Sequence, residues 1–191
     1  MSAYNILSID IDYAYSPTIS LYDDYVEGSR ISLAEQQEIL LKANAPAPQV
    51  NQDKLDVIKA VVDKRVVSDT PFHIIENHQD ILELLPKDRV LCLYNFDHHH
   101  DVHYPGWHEQ EVLDEGNWVS HLHDYKVDDF YWIRNKDSED RTDNVVLQFH
   151  WHEIYLPEIE RMPNFDLVVG CVSPHWTGVD SRKHLRYVMG V

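Results

Sequence analysis

The chain has 191 residues and sets 16 Lys and Arg against 33 Asp and Glu, a formal charge of −17 at pH 7. That balance argues against nucleic acid and anionic membrane as partners, since both would be repelled. Hydrophobic residues at 43% and charged residues at 26% are those of a globular protein, and the length suits one packed domain over 1–191 rather than two. No stretch approaches the roughly 20 apolar residues of a membrane span. The start, MSAYNILSIDIDY, lacks the basic and apolar regions of a signal peptide. Cys92 and Cys171 each sit inside an apolar run, which predicts buried, reduced thiols and a cytoplasmic protein.

In chain order, residues 4–11 (YNILSIDI) form an apolar run ending in acid, as a buried parallel strand does at its carboxyl end. Residues 13–31 read as a loop carrying Asp23, Asp24 and Glu27. Ser32 and Glu35 form a capping box that opens a helix through QQEILLKA, and 43–51 is a loop. A second helix is predicted over about 53–66, with Leu55, Ile58, Val61 and Val62 on one face. Then come a strand at 71–77, a short helix from His78 to Leu85 stopped near Pro86, and the strongest buried strand at 89–97. Residues 102–116 are irregular and 117–125 helical. Strands near 129–134 and 144–151, a last strand at 165–173 and a closing helix at 180–189 complete the chain. Strands alternating with helices predict an α/β fold, a three-layer, mostly parallel sheet with helices on both faces. Ligands of such sheets bind outside the carboxyl ends of the strands.

The 13 histidines point to metal, for seven of them fall between His98 and His123. The sharpest pattern is Asp97-His98-His99-His100-Asp101, directly after the buried strand. Asp-x-His-x-Asp spacing aims alternate side chains to one side, so Asp97, His99 and Asp101 converge. Oxygen donors with some imidazole suit Mn²⁺ or a similar divalent ion. The alternative is a solvated histidine loop. Asp10 and Asp12 face one way at the end of the first strand, where paired carboxylates need a cation or else repel and desolvate. Asp-x-Asp also opens haloacid-dehalogenase-type phosphatases, but those place Thr or Val where Ala14 stands. His78, after a strand carrying Glu76, reads as a ligand, a helix cap or a surface histidine.

Asp97-x-His99-x-Asp101 with Asp10-x-Asp12 resembles the metal-binding strand ends of the ureohydrolases, the arginase and agmatinase superfamily. The run I-I-E-N-His78-Q-D-I-L, the Gly116-Asn117-Trp118 triplet and S-P-H-W-T (173–177) look closest to the peptide arginase and uncharacterised arginase-like branch. The resemblance implies two Mn²⁺ ions held by Asp10, Asp12, His78, Asp97, His99 and Asp101. In it Asp97 and Asp10 bridge both ions, His78 is the single histidine ligand from the strand before the Asp-x-His-x-Asp motif, Asp101 binds the first ion, and His99 and Asp12 bind the second. In arginases the Asp-x-Asp strand follows the Asp-x-His-x-Asp strand, whereas here it opens the chain, so the resemblance implies a permuted strand order. It further implies hydrolysis of a guanidinium group, with Asp97 and Asp10 at the reacting centre. His121 would protonate the leaving amine, with His98, His100 and His123 as competitors.

Glu76 and Asn117 are the candidate substrate-binding residues, and Asp23, Asp24 and Glu27 are further acids for a guanidinium or else a solvated face. Trp107, Trp118, Trp151 and Trp176 line a groove or form core and cover. A chain this short suits an open groove, and its acidity suits a basic substrate, so the implied partner is an arginine-containing ribosomal precursor peptide. Three other functions fit the same residue types: a binuclear phosphoesterase, a deacetylase-like hydrolase and a non-catalytic metal-stabilised binding module. The first would want cations to hold phosphate, and Arg182, Lys183 and Arg186 are the only clustered ones.

Overall fold

The computed structural model describes residues 3–15, 38, 41–42, 49–104, 112–177 and 180–191. Six strands form one all-parallel sheet: β1 Tyr4–Asp10, β2 Phe72–Ile75, β3 Val90–Phe96, β4 Lys126–Ile133, β5 His150–Ile154 and β6 Leu167–Cys171. Their spatial order is β2-β6-β1-β3-β4-β5. The first strand of the chain thus lies in the middle, between β6 and β3, which is why YNILSID is buried on both sides. The Asp-x-Asp strand and the Asp-x-His-x-Asp strand are direct neighbours although the former comes first, so the strand order is permuted as expected.

Side-chain alternation divides β1 and β3 between two cores. Leu7, Ile9 and Phe96 pack on the face covered by helices α1 (Gln52–Arg65) and α3 (Arg182–Met189), with Ile58, Val61, Leu185 and Val188 opposite them; the single-turn α2 is Pro174–Thr177. Each fully buried Leu or Ile there contributes roughly 1.5–3 kcal/mol. Ile6, Leu91 and Leu93 pack on the other face, against Ile81, Trp118 and Leu122 from two 3-10 helices, His78–Glu83 and Trp118–Asp124. With helical layers on both faces, the sheet is the middle of three. Gly170 of β6 admits α3 closely, since a Cβ there would lie 2.9 Å from Leu185 Cδ2.

The helix signals act as their chemistry requires. Asn51 caps α1, its side chain accepting from the Lys54 amide at 3.2 Å. Gly190 ends α3 in the left-handed conformation at φ 70°. Glu38, Leu41 and Lys42 are helical, with an i,i+4 ion pair at 2.7 Å. The Ser32–Glu35 capping box, Asp23, Asp24, Glu27 and Trp107 lie outside the described residues.

Two expectations need correction. The loop after β1 does not begin at 13: Ile11–Ala14 is a buried 3-10 turn, and Tyr15 bridges to Val50. The strand expected at 144–151 is His150–Ile154. Val145, Leu147 and Phe149 do point into the second core while Val146 is exposed. That alternation is the strand signal, but ladder pairing with β4 starts only at Asp129 opposite His150. Period-2 burial without a backbone partner is an extended segment and not a strand.

Candidate metal centre

At their carboxyl ends β1 and β3 change chemistry together. The stripe facing the second core runs Ile6, Ser8, Asp10 in β1 and Leu91, Leu93, Asn95, Asp97 through β3, with Ser8 opposite Asn95 in the register. All four polar residues are buried. Beyond the strand ends the chain turns tightly, so Asp12 sits in the Ile11–Ala14 turn and His99 and Asp101 in the bend after β3. His78 arrives from the 3-10 helix that follows β2, two strands away.

Five of the six expected ligands meet in two groups that share Asp97: Asp10, His78 and Asp97, and Asp12, Asp97 and His99; the sixth, Asp101, lies beside His78 of the first group. Around His78 Nδ1 stand Oδ2 of Asp101 at 3.0 Å, Oδ2 of Asp97 at 3.1 Å and Oδ2 of Asp10 at 3.3 Å. None of the three completes a hydrogen bond to that nitrogen. Asp12 Oδ2, 2.9 Å from His99 Nδ1, is likewise a buried oxygen without a hydrogen bond. Asp97 addresses both groups, Oδ2 toward His78 and Oδ1 toward His99 Nδ1 at 4.0 Å. Ligands at right angles around an ion with bonds of about 2.1 Å lie about 3 Å apart, which is the spacing around His78. Four carboxylates also match the charge of two divalent ions. The residues fit a metal centre.

Electrostatics without an ion point the same way. Burial, and then the Asp12 charge, pushes Asp10 up to about 7. Burial, and then Asp101, pushes Asp97 to about 8. Burial opposes the charging of His78, but Asp10, Asp101 and Asp97 overcome it and hold the imidazole well above its ordinary value. The same contest at His99, settled by Asp12, raises it to about 10. Burial opposes the charging of Asp12, but His99 and His98 together outweigh it and hold the carboxyl below its ordinary value. The cluster holds protons where cations would otherwise stand.

A second set of groups orients the ligands, and the sequence reading missed it. Ser8 Oγ lies 2.9 Å from His78 Nε2. Asn95 Nδ2 donates to Asp97 Oδ2 at 3.0 Å, and the Trp132 indole donates to the Asp97 carbonyl at 3.1 Å. The Trp118 indole donates to Asp101 Oδ2 at 2.7 Å. A signal existed for Ser8 and Asn95: each interrupts an apolar inward stripe one position before a proposed ligand. The two tryptophans carried no such mark.

Alternation in the triple-histidine run holds. His98 turns away, its Nδ1 3.3 Å from Asn135 Nδ2. His100 accepts from the Val102 amide and stacks on Tyr104 at 4.2 Å. Burial pushes both down to about 4. His99 is the least buried of the six ligands, at 14% of its side chain, and packs on Trp176 at 4.4 Å between centroids. The centre therefore opens on the His99 side.

Other expected site residues stand elsewhere. Glu76 is exposed and pairs with the guanidinium of Arg182, so the acid set aside for a substrate guanidinium holds one from its own chain. Asn117 accepts from the Asp114 amide at 2.9 Å and donates to the Val112 carbonyl at 2.7 Å, fixing its own turn. Its polar atoms are spent on backbone, which is what a buried asparagine in a turn requires. Asp10 falls in one of the two groups, its Oδ2 toward His78 and its Oδ1 accepting the Asp12 amide. Trp118 is buried, and Trp151 stacks on Phe130 at 5.2 Å, so neither lines a groove. His121 lies half-buried in the 3-10 helix after Trp118, its ring 6.0 Å from that of His123. Both cysteines are buried and free, and no helix among the described residues is long and apolar enough to cross a membrane. No family model, curated protein or solved structure matches the chain.

Proposed function

We propose that the chain is a binuclear, metal-dependent hydrolase of arginase-like type that converts arginine residues of a precursor peptide to ornithine with release of urea. The observation that carries the reading is Asp97, whose two oxygens face two separate buried Asp/His groups. Asp10, His78, Asp97 and Asp101 would hold one ion, and Asp12, Asp97 and His99 the other. Two divalent ions, Mn²⁺ by the donor set, supply activation of water to a nucleophile near neutral pH.

The chain's own residues do the rest. Ser8 Oγ at 2.9 Å would take the Nε2–H of the tautomer that ligation needs, so that His78 would present its Nδ1 lone pair to an ion. Asn95 and Trp132 hold Asp97 from its side chain and its carbonyl, so the shared carboxylate stays between the groups. In the reaction the water oxygen bonds to the guanidinium carbon, and the bond from that carbon to the side-chain nitrogen breaks. The departing amine takes a proton, for which His121 is the donor we assign. The opening beside His99 and Trp176 leads to the centre, and the −17 charge steers a basic peptide toward it.

The test is the mass of an arginine-containing peptide after incubation with protein and Mn²⁺. A loss of about 42 mass units per arginine, with urea, follows from exchange of guanidine for amine. Phosphate released from a generic ester instead would assign a phosphoesterase, and two bound ions with no turnover a binding module.

A further inference from the structure

Asp101 is one of two non-glycine residues with positive φ among the described residues, at 50°. Asp tolerates that region better than most residues but still pays for it, and such a conformation persists only where its surroundings enforce it. Here the enforcement comes from the start of the 3-10 helix Trp118–Asp124. The Val119 amide donates to the Asp101 carbonyl at 3.0 Å, and the Trp118 indole N–H donates to Asp101 Oδ2 at 2.7 Å. That same Oδ2 is the oxygen nearest His78 Nδ1. The Trp118 ring also lies against the His78 imidazole, with centroids 4.7 Å apart and planes at 43°. One fully buried side chain therefore touches two candidate ligands of one group, its N–H bonded to Asp101 and its ring set against His78 and Phe130.

We propose that Trp118 is a positioning residue for the metal centre, clamping Asp101 in its left-handed conformation and His78 in its plane. It thereby sets the affinity of the Asp10–His78–Asp97–Asp101 position without governing that of the Asp12–Asp97–His99 position. This rests on the metal-centre reading above. The clamp works through geometry: an indole N–H is a donor only, and a charge-assisted bond of this length fixes which carboxylate oxygen turns to the ion.

Mn²⁺ titration of the whole protein against a competing chelator tests it. Trp118→Phe keeps an aromatic ring and removes the N–H. The 3-benzothienyl analogue of tryptophan, placed at position 118 alone, keeps the bicyclic shape as well, so a folding failure of Trp118→Phe leaves a second test. Orienting partners of metal ligands are worth about 10–100-fold in affinity. One of the two ions should weaken by that factor and the other should bind as in the unaltered protein. In an Asp101→Ala background the benzothienyl change should add nothing, because the N–H has lost its acceptor while the ring against His78 is kept. Trp151→Phe, an indole bonded to Glu153 and not to a ligand, should leave both affinities as they were. Equal weakening of both ions, or no weakening, would overturn the proposal. An unaltered protein that binds no Mn²⁺ would instead sink the metal-centre reading itself.

Discussion

Two clusters of the same residue types lie on this sheet and differ in almost everything else. At the carboxyl ends of β1 and β3, four buried aspartates gather with buried His78 and partly buried His99, and His78 Nδ1 and Asp12 Oδ2 lack hydrogen bonds. On β4 and β5, Asp128, Asp129 and His150 also come within ligand spacing of one another. There Asp129 pairs with His152 at 2.8 Å and His150 at 3.5 Å, and His150 is 75% exposed. The second cluster is open to water, whereas the first keeps His78 Nδ1 and Asp12 Oδ2 buried without hydrogen bonds. Residue type and spacing do not separate the two. Burial does, because removing a carboxylate from water is what makes it demand a counter-charge.

The largest effect that could break this contrast is at the shared ligand. Asp97→Asn should abolish Mn²⁺ binding at both positions and reduce urea release to background, read by elemental analysis and a urea assay. Asp129→Asn should change neither. Equal loss from both variants would mean that the clusters are alike.

Next comes Ser8→Ala, which leaves His78 Nε2 without its buried partner. Mn²⁺ affinity at the Asp10–His78 position should fall about 10–100-fold, measured by chelator competition. An unchanged affinity would show that Ser8 does not orient the ring.

Acidity sharpens the comparison further. Asp10 and Asp97 titrate near 7 and 8 when folded and metal-free, against 3.8 for a free side chain. The folded state therefore binds more protons than the unfolded one across that interval. With the ions chelated, the stabilisation from these groups is full below about pH 4 and is lost as pH rises through about 7 to 8. Excess Mn²⁺ should remove that loss, adding about 2.7 kcal/mol per ion at a hundredfold excess over Kd. Urea denaturation across this range, with and without Mn²⁺, checks both signs, and a chelated protein that gains stability toward pH 8 would contradict the electrostatics. At the small end, Asp129→Ala should shift stability by no more than about 1 kcal/mol, as exposed pairs do.

Much of this centre was legible before any coordinate. Asp10, Asp12, Asp97, His99 and Asp101 stand at the ends of apolar runs, and polarity ending an apolar run is the local mark of a strand end in a parallel sheet. His78 was legible only through resemblance, because its ring is placed by packing against Trp118 and bonding to Ser8, 70 positions away in the chain. The partners of Glu76 and Asn117 were illegible for a related reason. An acid and an amide beside a site do not announce whether a nearby Arg182 or their own turn will claim them. The alternation over 144–149 misled, because a backbone partner is invisible in one segment.

By itself, then, the amino-acid order determined the alternating strand–helix plan, the two inward-facing stripes and five of the six candidate ligands, since each depends on residues within a few positions of one another. Only the folded chain decided that β1 and β3 are neighbours, that Asp97 is shared while Asp10 is not, and that Trp118 holds Asp101. Those are contacts between segments far apart in the chain, and their energies depend on burial and direction, which no local pattern encodes.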